Sequence, residues 1–99
     1  MDGILSDEQY DAILETDFSD EFMELMKRRV VHGYVKQGSV REWLDSKSGV
    51  DRKGVTAGHL NDVRRLMTAY GSSGKEWLLA DAANYIMFLF MREEQESAT

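Results

Sequence analysis

The feature that most constrains the fold is a stretch near the C-terminus, residues 77–91, whose apolar side chains would point to almost every side of a helix. A helix of this kind is buried on most sides. Its small residues Ala80, Ala82 and Ala83 allow neighbouring helices to approach closely. A chain of 99 residues has room for one core. We therefore predict a single helical domain, 1–99, built around a central, buried C-terminal helix.

The rest of the chain also has helical periodicity. Apolar residues recur at spacings of three and four, and proline is absent. Serines that precede Gln or Glu by three residues predict helix-capping boxes at Ser6, Ser39 and Ser73. The pattern indicates an all-α bundle of four to five helices.

The predicted helices run from Ser6 to about Glu15, from Ser19 or Asp17 to near Gly38, from Ser39 through Leu44, from near Thr56 to Tyr70, and over 77–91. Residues 46–55 are predicted as a loop and 71–74 as a tight connection between helices. We expect 1–16 to form an N-terminal helix or arm, 17–92 the core, and 93–99 a frayed tail.

Composition excludes several classes of protein. Without cysteine there are no disulfides, thiolate metal sites or cysteine nucleophiles. The N-terminus lacks a secretory pattern, and the longest apolar run, 82–91, is about half a bilayer span. We expect a cytoplasmic protein that does not bind membranes.

Charge is unevenly distributed along the chain. The net charge is −6, which argues against nucleic-acid binding. Residues 1–24 carry nine acids and no base, whereas 27–75 carry eleven bases and four acids. Either the acidic segment packs beside the basic middle and neutralises it, or carboxylates and phosphate-binding bases line opposite walls of one pocket.

Two polar residues, Asp81 and Asn84, interrupt the apolar helix and share one of its faces. An unpaired buried carboxylate costs several kcal/mol, so Asp81 must be paired, protonated or bound to a metal. In a purely structural role, Asp81 pairs with Arg64 or Arg65 and Asn84 satisfies the backbone of a neighbouring helix.

A second acidic cluster, Asp20, Glu21 and Glu24, opens the second helix. Carboxylates at i and i+3 can share Mg²⁺ or Mn²⁺ with oxygens from another helix. Alternatively, this is a solvated face on which Glu24 pairs with Arg28.

Together these segments resemble the MazG-like all-α nucleoside triphosphate pyrophosphohydrolases, which include small forms common in phage genomes. The similar stretches are the acidic pair Glu21 and Glu24, the turn 32–39, the helix 59–70 and the run 81–87, reading Asp-Ala-Ala-Asn-Tyr-Ile-Met. The resemblance covers about residues 18–91.

The resemblance implies a four-helix core that forms dimers or tetramers and cleaves a nucleoside triphosphate to monophosphate and pyrophosphate. Asp20 or Glu21, with Glu24 and Asp81, would hold Mg²⁺ or Mn²⁺ and act as the catalytic acids. Asn84 would orient the substrate or a ligand. A phage form would work in the cytoplasm of an infected cell.

One position departs from the family pattern: Leu78 stands where a Glu is expected. Glu76 lies about 140° around the helix from Asp81, so it cannot take the place of the missing glutamate without distortion of the helix. Three hypotheses follow: a metal-dependent pyrophosphohydrolase, a nucleotide-binding relative that does not cleave, and a helical protein-binding module such as a phage regulator without enzymatic activity.

The candidate phosphate contacts are Lys36, Arg64 and Arg65, with Arg52 and Lys53 on the predicted loop; the alternative is that these bases are solvated. His32 and His59 lack the spacing of metal ligands and are predicted to be surface or capping residues. Trp43 and Trp77 are predicted to anchor the core or an interface.

Overall fold

The computed structural model describes residues 4–46 and 52–97. These residues form α1 (Asp7–Asp17), α2 (Asp20–Gln37), α3 (Val40–Ser46), α4 (Arg52–Ser73) and α5 (Glu76–Ser97), with no strand among them. Helix α5 packs against both α2 and α4. The predicted all-α fold is confirmed, and the C-terminal helix is its central element.

The first three helices begin at the serines that the sequence indicates. The Ser6 hydroxyl accepts a hydrogen bond from the Gln9 N–H at 3.2 Å, and the Gln9 side chain accepts from the Ser6 N–H at 2.9 Å. The Ser19 and Ser39 hydroxyls accept backbone N–H groups at 3.0 Å and 3.2 Å, respectively. Each bond satisfies a donor that has no partner inside its helix.

Helices α4 and α5 are longer than predicted. Helix α4 begins at Arg52, inside the predicted loop 46–55, of which 47–51 lie outside the described residues. It continues to Ser73, so the break predicted at 71–74 reduces to Gly74, whose φ of 68° ends the helix. Helix α5 runs to Ser97, beyond the predicted end at 91: its Glu and Gln residues favour helix and no proline interrupts them. The frayed tail over 93–99 stays a prediction, and residues 98 and 99 lie outside the described part of the chain.

The capping box predicted at Ser73 does not form. Ser73 lies in the last turn of α4, where its hydroxyl donates to the Ala69 carbonyl at 2.9 Å and accepts the Lys75 N–H at 3.3 Å. The hydroxyl is therefore engaged by the end of α4 rather than by the start of α5.

Helix α5 is buried along only part of its circumference. Leu78, Ala80 and Ala82 are buried, but Ile86 and Phe90 are 56% and 65% exposed. The prediction that this helix is buried on most sides is wrong for that stripe, because only α2 and α4 make extensive contact with α5.

The acidic N-terminal segment does not neutralise the basic middle of the same chain by burial. All side chains of residues 4–20 are exposed. Bases of the middle segment pair with acids close to them in the sequence: Lys27 with Glu24, the last acid of the N-terminal segment, at 3.6 Å, and Arg65 with Asp62 at 2.7 Å. Exposed carboxylates remain hydrated and need no distant partner.

Over the residues that the structure describes, no helix is both long enough and apolar enough to span a bilayer.

Substitution of Gly38 tests the backbone conformation at the end of α2, and substitution of Gly58, within α4, is the comparison. Gly38 has φ 89° and ψ −167°, a conformation that is essentially restricted to glycine, and its N–H donates to the Tyr34 carbonyl at 2.8 Å. We expect Gly38→Ala to lower the free energy of unfolding by about 1–3 kcal/mol. Gly58→Ala, at an exposed site within α4 with open space around it, should raise it by about 0.5–1 kcal/mol.

Urea unfolding followed by circular dichroism measures both variants. Equal effects of the two substitutions would contradict the conformation assigned to Gly38.

Candidate functional site

A bidentate ion pair joins α2 to α5. Nε and Nη2 of Arg29 donate to Oδ1 and Oδ2 of Asp81 at 2.8 Å and 3.0 Å. The two side chains are 24% and 20% exposed, so the pair is largely shielded from water. The Arg29 guanidinium also lies over the Trp77 ring, 4.6 Å from its centroid. Contacts on two sides fix both the position and the plane of this cation.

The same ion pair favours the protonated, charged form of Arg29. Hydrogen bonding to Asp81 raises the pKa of Arg29 above its ordinary value, and burial opposes this with a smaller effect. Arg29 therefore keeps its charge at every pH at which the protein is folded.

The sequence predicts that Asp81 has an arginine partner, but it names the wrong arginine. Arg64 and Arg65 are exposed on α4 and bond to Asn61 and Asp62, one turn away, at 2.8 Å and 2.7 Å. Partners within the same helix hold these two side chains, whereas the packing of α2 on α5 brings Arg29 to Asp81.

Asn84 makes the second polar contact between α2 and α5. Its Nδ2 donates to the backbone carbonyl of Met26 at 2.9 Å, which is the purely structural role predicted for Asn84; the role in orienting a substrate stays a prediction. The side chain is only 4% exposed, and its Oδ1 has no hydrogen-bond partner among the described residues. A buried amide oxygen without a partner costs about 1–3 kcal/mol.

A cleft of about 240 Å³ opens beside these two contacts. We call it the α2–α5 cleft. Its polar lining consists of three basic side chains, Arg29, His32 and Lys36, together with Gln37, Asp81 and Asn84. Val30, Val40, Tyr85, Phe88 and two glycines complete its walls. In a chain of net charge −6, with histidine counted as neutral, the cleft holds two cations, Arg29 and Lys36, and one carboxylate, Asp81.

A second pocket, of about 310 Å³, adjoins the cleft. We call it the aromatic pocket. Gln37, Gly38, Val40, Tyr85 and Phe88 line both spaces, and Ser39, Trp43 and Asp62 line the aromatic pocket alone. The two spaces therefore lie side by side, and we refer to them together as the groove, with the cleft as its basic end and the pocket as its aromatic end.

The buried His59 ring contacts two aromatic side chains of this pocket, Trp43 and Tyr85. It is 3% exposed, and its ring centroid lies 4.9 Å from that of Trp43 and 5.9 Å from that of Tyr85. The predicted surface position of His59 is therefore wrong: α4 places it between α3 and α5, with Nδ1 3.1 Å from the Val55 carbonyl oxygen.

Burial raises the pKa of Tyr85, and the nearby Asp62 charge adds to this effect, so the phenol stays neutral.

Of the predicted metal ligands, Asp81 lines the α2–α5 cleft, whereas Glu21 and Glu24 do not. The Glu24 carboxylate is paired with Lys27, and a Glu21 oxygen lies 3.4 Å from the Ser19 hydroxyl. Within residues 4–46 and 52–97, no three His, Cys, Asp or Glu side chains group closely enough to hold a metal ion. A metal site formed by Glu21, Glu24 and Asp81 stays a prediction.

The predicted substrate contacts divide into two groups. Lys36 and Asn84 line the α2–α5 cleft, whereas Arg64 and Arg65 line neither space. The side chains of Arg52 and Lys53 lie outside what the structure describes.

Sequence reasoning missed Arg29 and His32 as cleft residues. A signal for Arg29 was available, because it lies three residues after Met26 and seven after Phe22, on the apolar stripe of α2. A base on one apolar stripe and an acid on another predict a pair between two helices. His32 carried no comparable signal.

Comparison of this chain with protein-family models, with curated proteins and with solved structures finds no match.

The energetic role of the ion pair can be measured directly. Arg29→Met leaves the Asp81 carboxylate largely shielded and unpaired, so we expect the free energy of unfolding to fall by about 2–3 kcal/mol. Arg65→Met removes a pair in which the arginine is 69% exposed, and should leave the free energy of unfolding nearly unchanged.

A double-mutant cycle with Asp81→Leu should return a favourable coupling for Arg29. Additive effects would show that the two side chains do not stabilise each other.

Proposed function

We propose that this protein binds a nucleotide through its phosphates in the α2–α5 cleft, as a MazG-like relative that does not cleave its ligand. The observation that supports this proposal is the basic lining of the cleft, with Arg29 fixed by Asp81 and Trp77. The similarity of 81–87 to the family's segment leads to the same class of ligand.

The geometry of Arg29 suits a phosphate. Its bonds to Asp81 use Nε and Nη2, and Nη1 has no hydrogen-bond partner among the described residues. A guanidinium held on two sides loses little side-chain entropy when it binds an anion. Lys36 and His32 add donors along α2, and Lys36 offsets the partial negative charge at the end of that helix.

The donors present do not fit a dedicated site for Mg²⁺ or Mn²⁺. Arg29 occupies both oxygens of Asp81, Leu78 replaces the glutamate of the family pattern, and the described residues contain no three-group cluster. The proposal therefore assigns binding to this chain and routes no chemical step through a metal.

Lys36→Ala tests the phosphate contact without disturbing the ion pair. Nucleoside triphosphates should raise the melting temperature of the unaltered chain, since a ligand that binds the folded state stabilises it. Loss of Lys36 should weaken the affinity about fivefold, corresponding to about 1 kcal/mol. Lys27→Ala, nine residues earlier on the same helix and on its opposite face, is the matched control and should bind normally.

Thermal shift and calorimetry, with and without Mg²⁺ or Mn²⁺, give the readout. Absence of a shift with every nucleotide and with inorganic triphosphate would overturn the proposal. Release of pyrophosphate would instead restore the enzymatic hypothesis, with Glu24→Gln and Asp81→Asn as the variants that should abolish it.

A second proposal concerns self-association. Helix α2 exposes Val31, Tyr34 and Val35 at helical spacing, and α5 exposes Ile86 and Phe90 one turn apart. Few large apolar side chains are buried in the described chain, with Leu44 and Leu78 the principal ones. We infer that a second copy of the chain covers these stripes, since a domain of this size gains most from burial of its remaining apolar surface.

Val35→Glu and Phe90→Glu should shift the oligomer to monomer in sedimentation velocity, because each places a charge in the proposed interface. Arg28→Glu, at an exposed position of α2, is the control and should leave the oligomer intact. A monomeric unaltered chain would contradict self-association and favour a different protein as the partner of these stripes.

A further inference from the structure

The aromatic pocket contains chemistry that phosphate binding does not use. Its walls present the rings of Trp43, Tyr85 and Phe88, and its polar edge presents the Asp62 carboxylate. The volume of about 310 Å³ is at the lower end of small-molecule sites, which measure roughly 300–1,000 Å³. Flat rings beside a hydrogen-bonding edge suit a heteroaromatic ring.

We propose that the aromatic pocket binds the base of a guanine mononucleotide whose phosphates occupy the α2–α5 cleft. This inference rests on the function proposed above. The two spaces share five lining residues and therefore lie side by side, so a single nucleotide can place its base in one and its phosphates in the other.

Asp62 provides the reason for guanine. A carboxylate only accepts hydrogen bonds, and two adjacent donors match its two oxygens. Guanine presents such a pair, the ring N1–H and the exocyclic amine. Adenine and cytosine offer one amine beside an acceptor nitrogen, and uracil places a carbonyl on each side of its N–H, so each sets a lone pair against the carboxylate.

The surroundings of Asp62 leave its carboxylate able to accept hydrogen bonds from guanine. Nη2 of Arg65 donates to Oδ1 at 2.7 Å, which orients the carboxylate. Oδ2 has no hydrogen-bond partner among the described residues, and the side chain is 38% exposed. Burial raises the pKa of Tyr85, so Tyr85 faces the base as a neutral ring and does not add to the negative charge of Asp62.

Calorimetry with a nucleotide series tests the assignment. GTP should bind about tenfold more tightly than ITP, which lacks the exocyclic amine, and more tightly than ATP, CTP or UTP. Asp62→Asn should abolish the preference for GTP, while inorganic triphosphate binds as before. Asp11→Asn, the same change on exposed α1, is the control, and melting curves without ligand verify that each variant folds.

Tryptophan fluorescence gives an independent readout. The chain has two tryptophans, so Trp77→Phe leaves Trp43 as the sole emitter and keeps an aromatic ring beside Arg29. GTP should quench this emission by stacking, and inorganic triphosphate should not.

The possible outcomes separate the two proposals. Equal affinity for all nucleotides, or a GTP preference that survives Asp62→Asn, overturns the guanine assignment and leaves phosphate binding in place. Absence of binding by GTP and by inorganic triphosphate overturns both.

Discussion

The arrangement of α2 on α5 depends on one buried polar contact, the Arg29–Asp81 ion pair. An acid on the central helix is tolerable only when a cation meets it with good geometry. The bidentate bonds meet that requirement, and Asn84 adds a bond to the Met26 carbonyl one turn further along α5. These contacts fix the register of the two helices, because a slip of either helix would leave a charge or an amide unpaired in the interior.

The register in turn creates the groove. With Arg29 held against Asp81 and Trp77, the next turns of α2 bring His32 and Lys36 to the same cleft. On the other side, His59 supports Trp43 and Tyr85 at the aromatic end. A protein that is acidic overall thus acquires a local site suited to anions, and the total charge of −6 does not reveal this. The nucleotide proposal depends on this local arrangement rather than on composition.

Much of the fold could be predicted, and the reasons are local. Ser6 and Ser19 cap helices through bonds that span three residues, so the sequence contains all the information needed. The errors have local causes as well. The predicted break at 71–74 is an example, because Gly71, Ser72 and Ser73 can continue a helix as well as end it. Of these four residues, only Gly74 has the positive φ that ends α4. Helix α5 was predicted to be buried on most sides, but periodicity does not say how many helices are available to cover it.

What the sequence by itself determined is the all-α class, the starts of α1, α2 and α3, and the requirement that Asp81 and Asn84 find partners inside a helical core. These follow from periodicity, capping and the cost of burying polar groups, which act within a helix or at a single residue. Only the tertiary structure decided that Asp81 pairs with Arg29, that His59 is buried, and that Lys36 lies on the same cleft as Asn84 while Arg64 and Arg65 do not. Those choices depend on which faces of α2, α4 and α5 meet. The position of Arg29 on an apolar stripe makes it a candidate partner, but spacing within one helix does not select the partner from another helix.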